Sequence, residues 1–157
     1  MTNETINPSL AVGVIIKNKD NKILFVQEGR DKYYEKANAI FGLPSGKVDW
    51  TEKIEDGLRR EMREELNIEI KPLGLIGVYQ YARDNSQCLG LAFAVELITK
   101  EEDITRNQEE LKAMHWLSLV EALSPATKLR VGSKEVLEDY RNNQLLPFSH
   151  VRFFDLR

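Results

Sequence analysis

The sequence predicts an α+β fold, a sandwich of helices on a mixed β-sheet, and three observations support this class. Short runs rich in β-branched residues alternate with polar turn clusters, which is typical of strands. One longer segment repeats apolar residues every four positions, which is typical of an amphipathic helix. Most of the predicted strands lie outside any strand–helix–strand repeat, so strands and helices are mixed along the chain.

The length of 157 residues fits one domain, which we place at residues 1–157. The first two strands are expected to form a hairpin, and two later strands are expected to pair through a turn at Arg83–Ser86. Gly29–Asn38 is expected to be a loop and Ala39–Phe41 a short strand. The other predicted strands are Ala11–Lys17, Ile23–Val26, Leu73–Tyr81, Cys88–Leu97 and Ala113–Leu117. Short helices are predicted at Leu119–Leu123 and Ser133–Asn142.

The segment Thr51–Asn67 is the strongest helix prediction. We expect Thr51 to cap its N-terminus and Asn67 to end it. Gly57 interrupts the segment and should cost about 1 kcal/mol relative to alanine. The apolar residues form one stripe along the helix, which consists of Ile54, Leu58, Met62 and Leu66.

The composition limits the partners and the compartment of the protein. A formal net charge of −3 does not suggest the basic surface that polymeric nucleic acids require. Cys88 is the only cysteine, which excludes an intrachain disulfide and suits a reducing compartment. No secretory signal and no apolar run of about 20 residues is present. We therefore expect a cytoplasmic protein that binds neither nucleic-acid polymers nor membranes.

Three glutamates within the predicted helix form the candidate site. Glu61, Glu64 and Glu65 stand at positions i, i+3 and i+4, so their side chains lie on one face. Like charges at these offsets destabilise a helix by some tenths of a kcal/mol per pair. The arrangement becomes favourable when a hard divalent cation such as Mg²⁺ lies between the carboxylates. The alternative is a solvated helix face on which the glutamates pair with nearby arginines.

A longer pattern around these glutamates favours the cation. The segment Gly46–Ile68 fits the spacing GX5EX7REUXEEXGU, in which U is a bulky apolar residue. This pattern resembles the Nudix box, the signature of the Nudix hydrolase family. Asn67 stands where the family usually has glycine, and asparagine is the next best residue for a left-handed helix end. The preceding segment Phe41–Gly46 and the later segment Met114–Leu117 are also similar to the family.

The resemblance implies a fold, a reaction and a metal. The Nudix fold is an α/β/α sandwich in which a mixed sheet lies between helices and a loop–helix–loop box forms the metal site. The reaction is attack of water on phosphorus in a nucleoside diphosphate-linked, nucleotide or thiamine-type pyrophosphate. The metal is Mg²⁺, with Mn²⁺ able to substitute, and its implied ligands are the Gly46 carbonyl, Glu61, Glu64 and Glu65.

The resemblance also suggests which residues carry out the reaction. Arg60 is expected to orient a box carboxylate through a charge-assisted hydrogen bond, and Glu52 to support the loop or Arg60. The general base is a box glutamate in some relatives and a glutamate of a distant loop in others. The candidates for that role and for catalysis are Glu61, Glu64, Glu109 and Glu110, and weaker ones are Glu101, Glu102 and Asp103.

Several aromatic and basic residues are weaker candidates for contacts with the substrate, and core packing or surface exposure is the alternative for each. The aromatic candidates are Tyr33, Tyr34, Phe41, Trp50, Tyr79 and Tyr81. The basic candidates are Arg30, Lys32 and Arg83. His115 and His150 carry no signal of a site, and Cys88 is expected to be a small core residue.

Two alternatives to an enzyme exist. One is a ligand-sensing protein that keeps the fold without catalysis, and the other is an interaction protein with an acidic helix face. The complete set of box carboxylates favours the enzyme. ADP-ribose, dinucleoside polyphosphates, sugar nucleotides and oxidised nucleotides are all open as substrates, and a homodimer is common in the family.

Overall fold

Strands make up most of the regular structure in the residues that this computed structural model describes, which are 7–28, 40–83 and 86–157. The strands are β1 (Asn7–Ile16), β2 (Ile23–Glu28), β3 (Ser45–Val48), β4 (Ile70–Arg83), β5 (Ser86–Leu97), β6 (Leu111–Leu117) and β7 (Leu146–Pro147). The helices are α1 (Ile54–Leu66), α2 (Leu119–Ala122) and α3 (Ser133–Asn142), with 3₁₀ turns at Glu101–Asp103 and Phe148–His150. None of the helices in these ranges is long and apolar enough to cross a bilayer. The predicted loop Gly29–Asn38 lies outside the described residues.

The larger sheet is mixed, as predicted, and has the strand order β3-β1-β5-β4-β7. β1 pairs with β5 in parallel and with β3 in antiparallel orientation. The predicted pair of long strands is confirmed, since β4 and β5 are antiparallel from the Ile70–Leu97 pair to the Arg83–Ser86 pair. β3 and β7 were not predicted, because strands of four and two residues are too short to show an alternating pattern.

The predicted hairpin between the first two strands is wrong. β2 pairs instead with β6 in a second, antiparallel sheet, and the bridge between Lys17 and Ile23 is what joins it to β1 in the described residues. Both edges of β1 are already occupied by β3 and β5, so no ladder remains for β2. The predicted strand near Phe41 reduces to isolated bridges, from Phe41 to Leu129 and from Gly42 to Val26.

Apolar side chains cover both faces of the larger sheet. Val14 of β1 belongs to one core cluster and its neighbour Ile15 to the other, because alternate residues of a strand point to opposite faces. The first cluster contains the apolar stripe of α1, and the second contains Val136 and Leu137 of α3. Helices therefore lie on both sides of the sheet, as in the α/β/α sandwich that the resemblance implies.

Helix α1 carries the predicted stripe but begins at Ile54. The predicted cap at Thr51 is wrong, because the Thr51 hydroxyl donates to Asp49 Oδ1 (2.6 Å) and does not accept from the helix. Lys53 occupies the N-cap position without a side-chain hydrogen bond. The predicted end is confirmed, since Asn67 is left-handed (φ 54°, ψ 41°) and its N–H donates to the Arg63 carbonyl. The Asn67 conformation places the following chain at the start of β4.

Gly57 is a point of close approach between α1 and β3. A Cβ atom at this position would lie 2.8 Å and 2.9 Å from the two γ-methyl carbons of Val48 and 2.9 Å from Glu52 Oε2. Val48 is buried, so its side chain has little room to yield. The glycine that weakens the helix locally is therefore the residue that lets the helix pack on the sheet.

We expect Gly57→Ala to destabilise the protein. Alanine raises helix propensity by about 1 kcal/mol, but overpacking against a buried side chain costs about 1–3 kcal/mol. The net loss should appear as a lower free energy of unfolding in urea. In a Val48→Ala background the same substitution should cost less, because the smaller side chain leaves room. An equal loss in both backgrounds would show that contact with Val48 is not the cause.

Candidate active site

The three box glutamates stand at different depths on α1. The Glu64 side chain is 54% exposed and the Glu61 side chain 13% exposed, whereas Glu65 is 7% exposed. The face that carries them therefore runs from solvent into the space between α1 and the sheets. A solvated helix face, the alternative considered above, does not describe this arrangement.

Arg60 connects this helix face to the loop before it. Its Nε and Nη2 donate to the two carboxylate oxygens of Glu52, each at 2.9 Å. Its Nη1 donates to Glu61 Oε1 at 2.7 Å and to Glu64 Oε2 at 3.2 Å, and Nη2 also donates to the Lys47 carbonyl at 3.1 Å. These bonds raise the pKa of Arg60, the bonds to Glu52 and then to Glu61 contributing most. The hydrogen bond from Arg60 is also the main reason that the pKa of Glu52 is lowered.

Glu61 lies directly against Gly46 of β3. A Cβ atom on Gly46 would stand 2.0 Å from Glu61 Oε2, so any side chain there would displace the carboxylate. Burial raises the pKa of Glu61, although the Arg60 hydrogen bond opposes that shift. Two residues predicted as metal ligands from separate elements are thus brought into contact.

Glu65 is the most deeply buried charged residue of the site. Its Oε2 atom is buried and has no hydrogen-bond partner in the described part of the chain. Burial raises the pKa of Glu65 to about 8, and the negative charges of Glu28, Glu61 and Glu110 add to the shift. Arg130 lowers the same pKa. Such a carboxyl group is costly unless a proton or a cation accompanies it.

The chemistry of these residues fits a divalent cation. Carboxylate and carbonyl oxygens are the ligands that Mg²⁺ prefers, and the orphaned oxygen of Glu65 is a buried acceptor that a cation would satisfy. Across the described ranges, no three His, Cys, Asp or Glu side chains already stand in metal-binding geometry. Glu61 and Glu64 are instead held by Arg60 Nη1.

The loop before β6 is tied to the end of α1. The N–H of Asn107 donates to the Glu65 carbonyl (2.7 Å), and the N–H of Thr105 donates to the Leu66 carbonyl (3.2 Å). Glu110 lies close enough to raise the pKa values of both Glu61 and Glu65.

The other acidic candidates of this loop are placed differently. Glu109 is not among the charges that act most strongly on Glu61 or Glu65, and its N–H donates to Asn107 Oδ1 (3.0 Å). Glu101 accepts from Asn18 Nδ2 (3.2 Å), at the turn after β1. Glu102 and Asp103 are exposed in the same 3₁₀ turn. Among the acidic candidates of this loop, Glu110 is therefore the one whose charge acts on both Glu61 and Glu65.

Sequence reasoning missed two charged residues beside the cluster, Glu28 and Arg130. They form an ion pair, with Arg130 Nη2 at 2.8 Å from Glu28 Oε1. Glu28 ends β2 opposite Leu111, and Arg130 precedes α3. The extension of β2 beyond Val26 was the signal that could have placed Glu28. No local pattern marks Arg130.

The aromatic candidates in the described ranges make contacts within the fold, and only Trp50 among them is exposed. Phe41 makes an edge contact with His115, their ring centroids 4.9 Å apart. The Tyr79 hydroxyl donates to Asp139 of α3 (2.7 Å), and burial followed by this bond raises its pKa. Trp50 is exposed, with its ring N–H donating to the Pro8 carbonyl (3.5 Å). Tyr81 lies against Gly132, at the start of α3.

The remaining weaker candidates carry no site geometry. His150 is exposed, and Cys88 is a free thiol that is half-buried, so the prediction of a core position for Cys88 is wrong. Its place in β5 near the β4–β5 turn explains the exposure, because this end of the sheet is open. Tyr33, Tyr34, Arg30, Lys32 and the side chain of Arg83 lie outside the described residues.

Comparison with known proteins identifies relatives over most of the chain. The family model of the NUDIX domain matches residues 7–140. An ADP-ribose pyrophosphatase of Methanocaldococcus jannaschii is 28% identical over 137 residues, which are 86% of this chain and 74% of that protein. An 8-oxo-dGDP phosphatase NUDT18 of Danio rerio is 34% identical over 74 residues, which are 47% of this chain and 22% of that protein.

Solved structures share the same fold. A NUDIX hydrolase from Nitrosomonas europaea aligns with a TM-score of 0.76 and 21% identity, covering 96% of this chain and 100% of that chain. A MutT NUDIX hydrolase from Burkholderia pseudomallei aligns with a TM-score of 0.70 and 25% identity, covering 85% of this chain and 98% of that chain. Because the family match spans most of the chain and the fold agrees with it, the chain belongs to the Nudix hydrolases, enzymes that act on pyrophosphate bonds.

Proposed function

We propose that this protein is a Mg²⁺-dependent pyrophosphohydrolase that cleaves the phosphoanhydride bond of a nucleoside diphosphate-linked compound such as ADP-ribose. The observation that carries the proposal is the orphaned oxygen of Glu65, a buried acceptor beside Glu61 and Glu110. A buried carboxylate set of this kind is stable when a cation neutralises it. The pyrophosphatase of Methanocaldococcus jannaschii, whose name specifies ADP-ribose, supports the substrate class.

The proposed metal site draws on two elements. Glu61, Glu64 and Glu65 of α1 would hold Mg²⁺ together with the carbonyl oxygen of Gly46, and Mn²⁺ would occupy the same oxygen ligands. When bound, the metal polarises the phosphoryl oxygens, offsets charge on the leaving phosphate and activates a water molecule. The close approach of Glu61 to Gly46 supports this ligand set, because it brings α1 and β3 to one point.

Arg60 positions the carboxylates and does not need to touch the substrate. The Nε and Nη2 atoms of Arg60 bind the two carboxylate oxygens of Glu52, and this pair of bonds fixes the plane of the guanidinium group. The remaining nitrogen, Nη1, then points at Glu61 and Glu64. Arg60 thereby keeps two like charges on the same side of the helix before a cation arrives.

Glu110 is the general base that the geometry favours. It lies near Glu61 and Glu65 on a loop anchored to the end of α1, and it is exposed, so water reaches it. In the proposed reaction Glu110 accepts a proton from the attacking water. The water oxygen forms a bond to phosphorus, and the P–O bond to the leaving phosphate breaks. Glu109, the neighbouring carboxylate, is not among the charges that act most strongly on Glu61 and Glu65.

The first test is hydrolysis of a panel of pyrophosphates by the wild-type protein with Mg²⁺, with EDTA, and by the Glu65→Gln variant. The panel contains ADP-ribose, dinucleoside polyphosphates, sugar nucleotides, oxidised nucleotides and thiamine pyrophosphate. We expect ADP-ribose to yield AMP and ribose phosphate, and both EDTA and Glu65→Gln to lower the rate roughly 100-fold or more. Glu69→Gln is the matched control, because this carboxylate lies beyond the helix and its side chain is 47% exposed. Turnover that survives both EDTA and Glu65→Gln would contradict the metal assignment.

Glu65→Gln is expected to lower activity, but in EDTA it should raise the free energy of unfolding at high pH. The pKa of Glu65 is about 8 in the folded protein against an ordinary value of 4.5. Between these values the folded state binds a proton that the unfolded state has lost, so the free energy of unfolding falls as pH rises. The slope is at most about 1.4 kcal/mol per pH unit. Glu65→Gln removes this loss, so the variant should match the wild type near pH 5 and exceed it near pH 8.5 in urea denaturation. A constant difference at both pH values would show that Glu65 does not titrate in this range.

Alanine substitutions should separate the two loop glutamates. Glu110→Ala is expected to lower kcat about 100-fold or more with little change in the substrate KM, because a general base acts in the transition state. Glu109→Ala should remain close to the wild type in both constants. Small and equal effects at the two positions would leave the base among the box glutamates.

A further inference from the structure

The ion pair between Arg130 and Glu28 lies at the edge of the carboxylate cluster, on residues outside the box. The Arg130 and Glu28 side chains are 22% and 31% exposed, and Nη2 of Arg130 stands 2.8 Å from Glu28 Oε1. Exposed ion pairs contribute little to stability. A pair that is mostly removed from solvent beside other carboxylates interacts more strongly with its neighbours.

The position of Arg130 is built by several contacts. Its backbone N–H donates to the Phe41 carbonyl (2.8 Å), and its Nη1 donates to Ser45 Oγ (3.3 Å). The guanidinium plane lies against Gly42, where a Cβ atom would stand 2.4 Å from Nη2. Ser45 directly precedes Gly46, which contacts Glu61. The guanidinium group is therefore anchored to the strand that carries a proposed metal ligand.

Arg130 and Glu28 also act on Glu65, with opposite signs. The Glu28 charge raises the pKa of Glu65, and the Arg130 charge lowers it. The Oε2 atom of Glu65 is buried and has no hydrogen-bond partner in the described residues. The Arg130 charge acts in the same direction as a metal cation would, and the hydrogen bond to Ser45 holds it beside the strand that carries Gly46.

We propose that the positive charge of Arg130, held beside β3, competes with the divalent cation for the negative charge of the cluster, and that the Arg130–Glu28 pair thereby sets the affinity of the site for the metal. This inference rests on the proposed metal site at Glu61, Glu64 and Glu65. Arg130 is then a positioning residue: it keeps the cluster compact without metal and yields part of its interaction when metal enters. Glu28 limits this competition, because its carboxylate pairs with Arg130.

The charges predict effects of opposite sign on metal affinity. Arg130→Met removes a positive charge near the site and should tighten Mn²⁺ binding. Glu28→Gln leaves Arg130 without its partner and should weaken binding. Each substitution should change the dissociation constant of Mn²⁺ about threefold to tenfold. This is the effect expected of a single charge on a neighbouring side chain in a partly hydrated site. The double variant should return close to the wild type, and Arg130→Lys, which keeps the charge, should also stay close to it.

The measurement is the dissociation constant of Mn²⁺ from electron paramagnetic resonance of the free ion, without substrate. The matched control is the exposed Arg63–Glu69 pair, joined by Arg63 Nη2 and Glu69 Oε2 at 3.0 Å, which lies outside the cluster. Arg63→Met and Glu69→Gln should leave the dissociation constant unchanged. Thermal unfolding of each variant checks that the fold is intact.

The outcomes separate this inference from the proposed function. If Mn²⁺ does not bind, or binds equally well to Glu65→Gln, the metal site itself is wrong and the inference falls with it. If binding depends on Glu65 but Arg130→Met weakens it or leaves it unchanged, the competition alone is wrong. If the double variant is as impaired as a single one, or Arg130→Lys resembles Arg130→Met, Arg130 acts through packing and not through charge. Tighter binding in Arg130→Met with recovery in the double variant supports the proposal.

Discussion

The fork of hydrogen bonds from Arg60 is the interaction on which the arrangement of the site depends. It reaches the box loop through Glu52, β3 through the Lys47 carbonyl, and α1 through Glu61 and Glu64. Three segments that are separate in the fold are thus fixed to one planar group. A lysine could not do this, because its single ammonium nitrogen has no fixed plane. It could not bind both oxygens of one carboxylate in this geometry and also present further nitrogens to the other acceptors.

The close approach that this fork maintains requires two glycines. Gly46 leaves room for the Glu61 carboxylate, and Gly57 leaves room for Val48 of β3. A methyl group at Gly57 would push the helix away from the sheet, and one at Gly46 would displace the Glu61 carboxylate. Helix propensity alone disfavours glycine in a helix, so Gly57 is explained by packing. The same contact also sets the depth at which Glu61 and Glu65 enter the interior.

Much of the fold follows from periodicity, but the way in which the strands are joined does not. The stripe of α1, its end at Asn67 and the β4–β5 pair are local patterns of spacing, and they were predicted. The separation of β2 from β1 depends on β5, a strand distant in sequence that occupies the edge of β1. In the site, spacing identified the residues of one helix. Glu28 and Arg130 reach the cluster only through tertiary packing, and a single charge at a strand end or in a loop is indistinguishable from a surface charge in sequence.

Several features of the site lower the stability of the protein, and a bound metal cation would offset all of them. Three like charges share one helix face, and one of them, Glu65, has a buried oxygen without a hydrogen-bond partner in the described residues. The charge of a fourth carboxylate, Glu28, also acts on Glu65. Each of these features is energetically unfavourable by itself, and unfavourable features of this kind concentrate at functional sites. In the described residues the Arg130 charge lowers the pKa of Glu65, but it does not offset the opposing effects of burial and of the neighbouring carboxylates. The remaining negative charge is what a metal cation would offset, so the energetic cost of the cluster and its proposed capacity to bind metal have one physical origin.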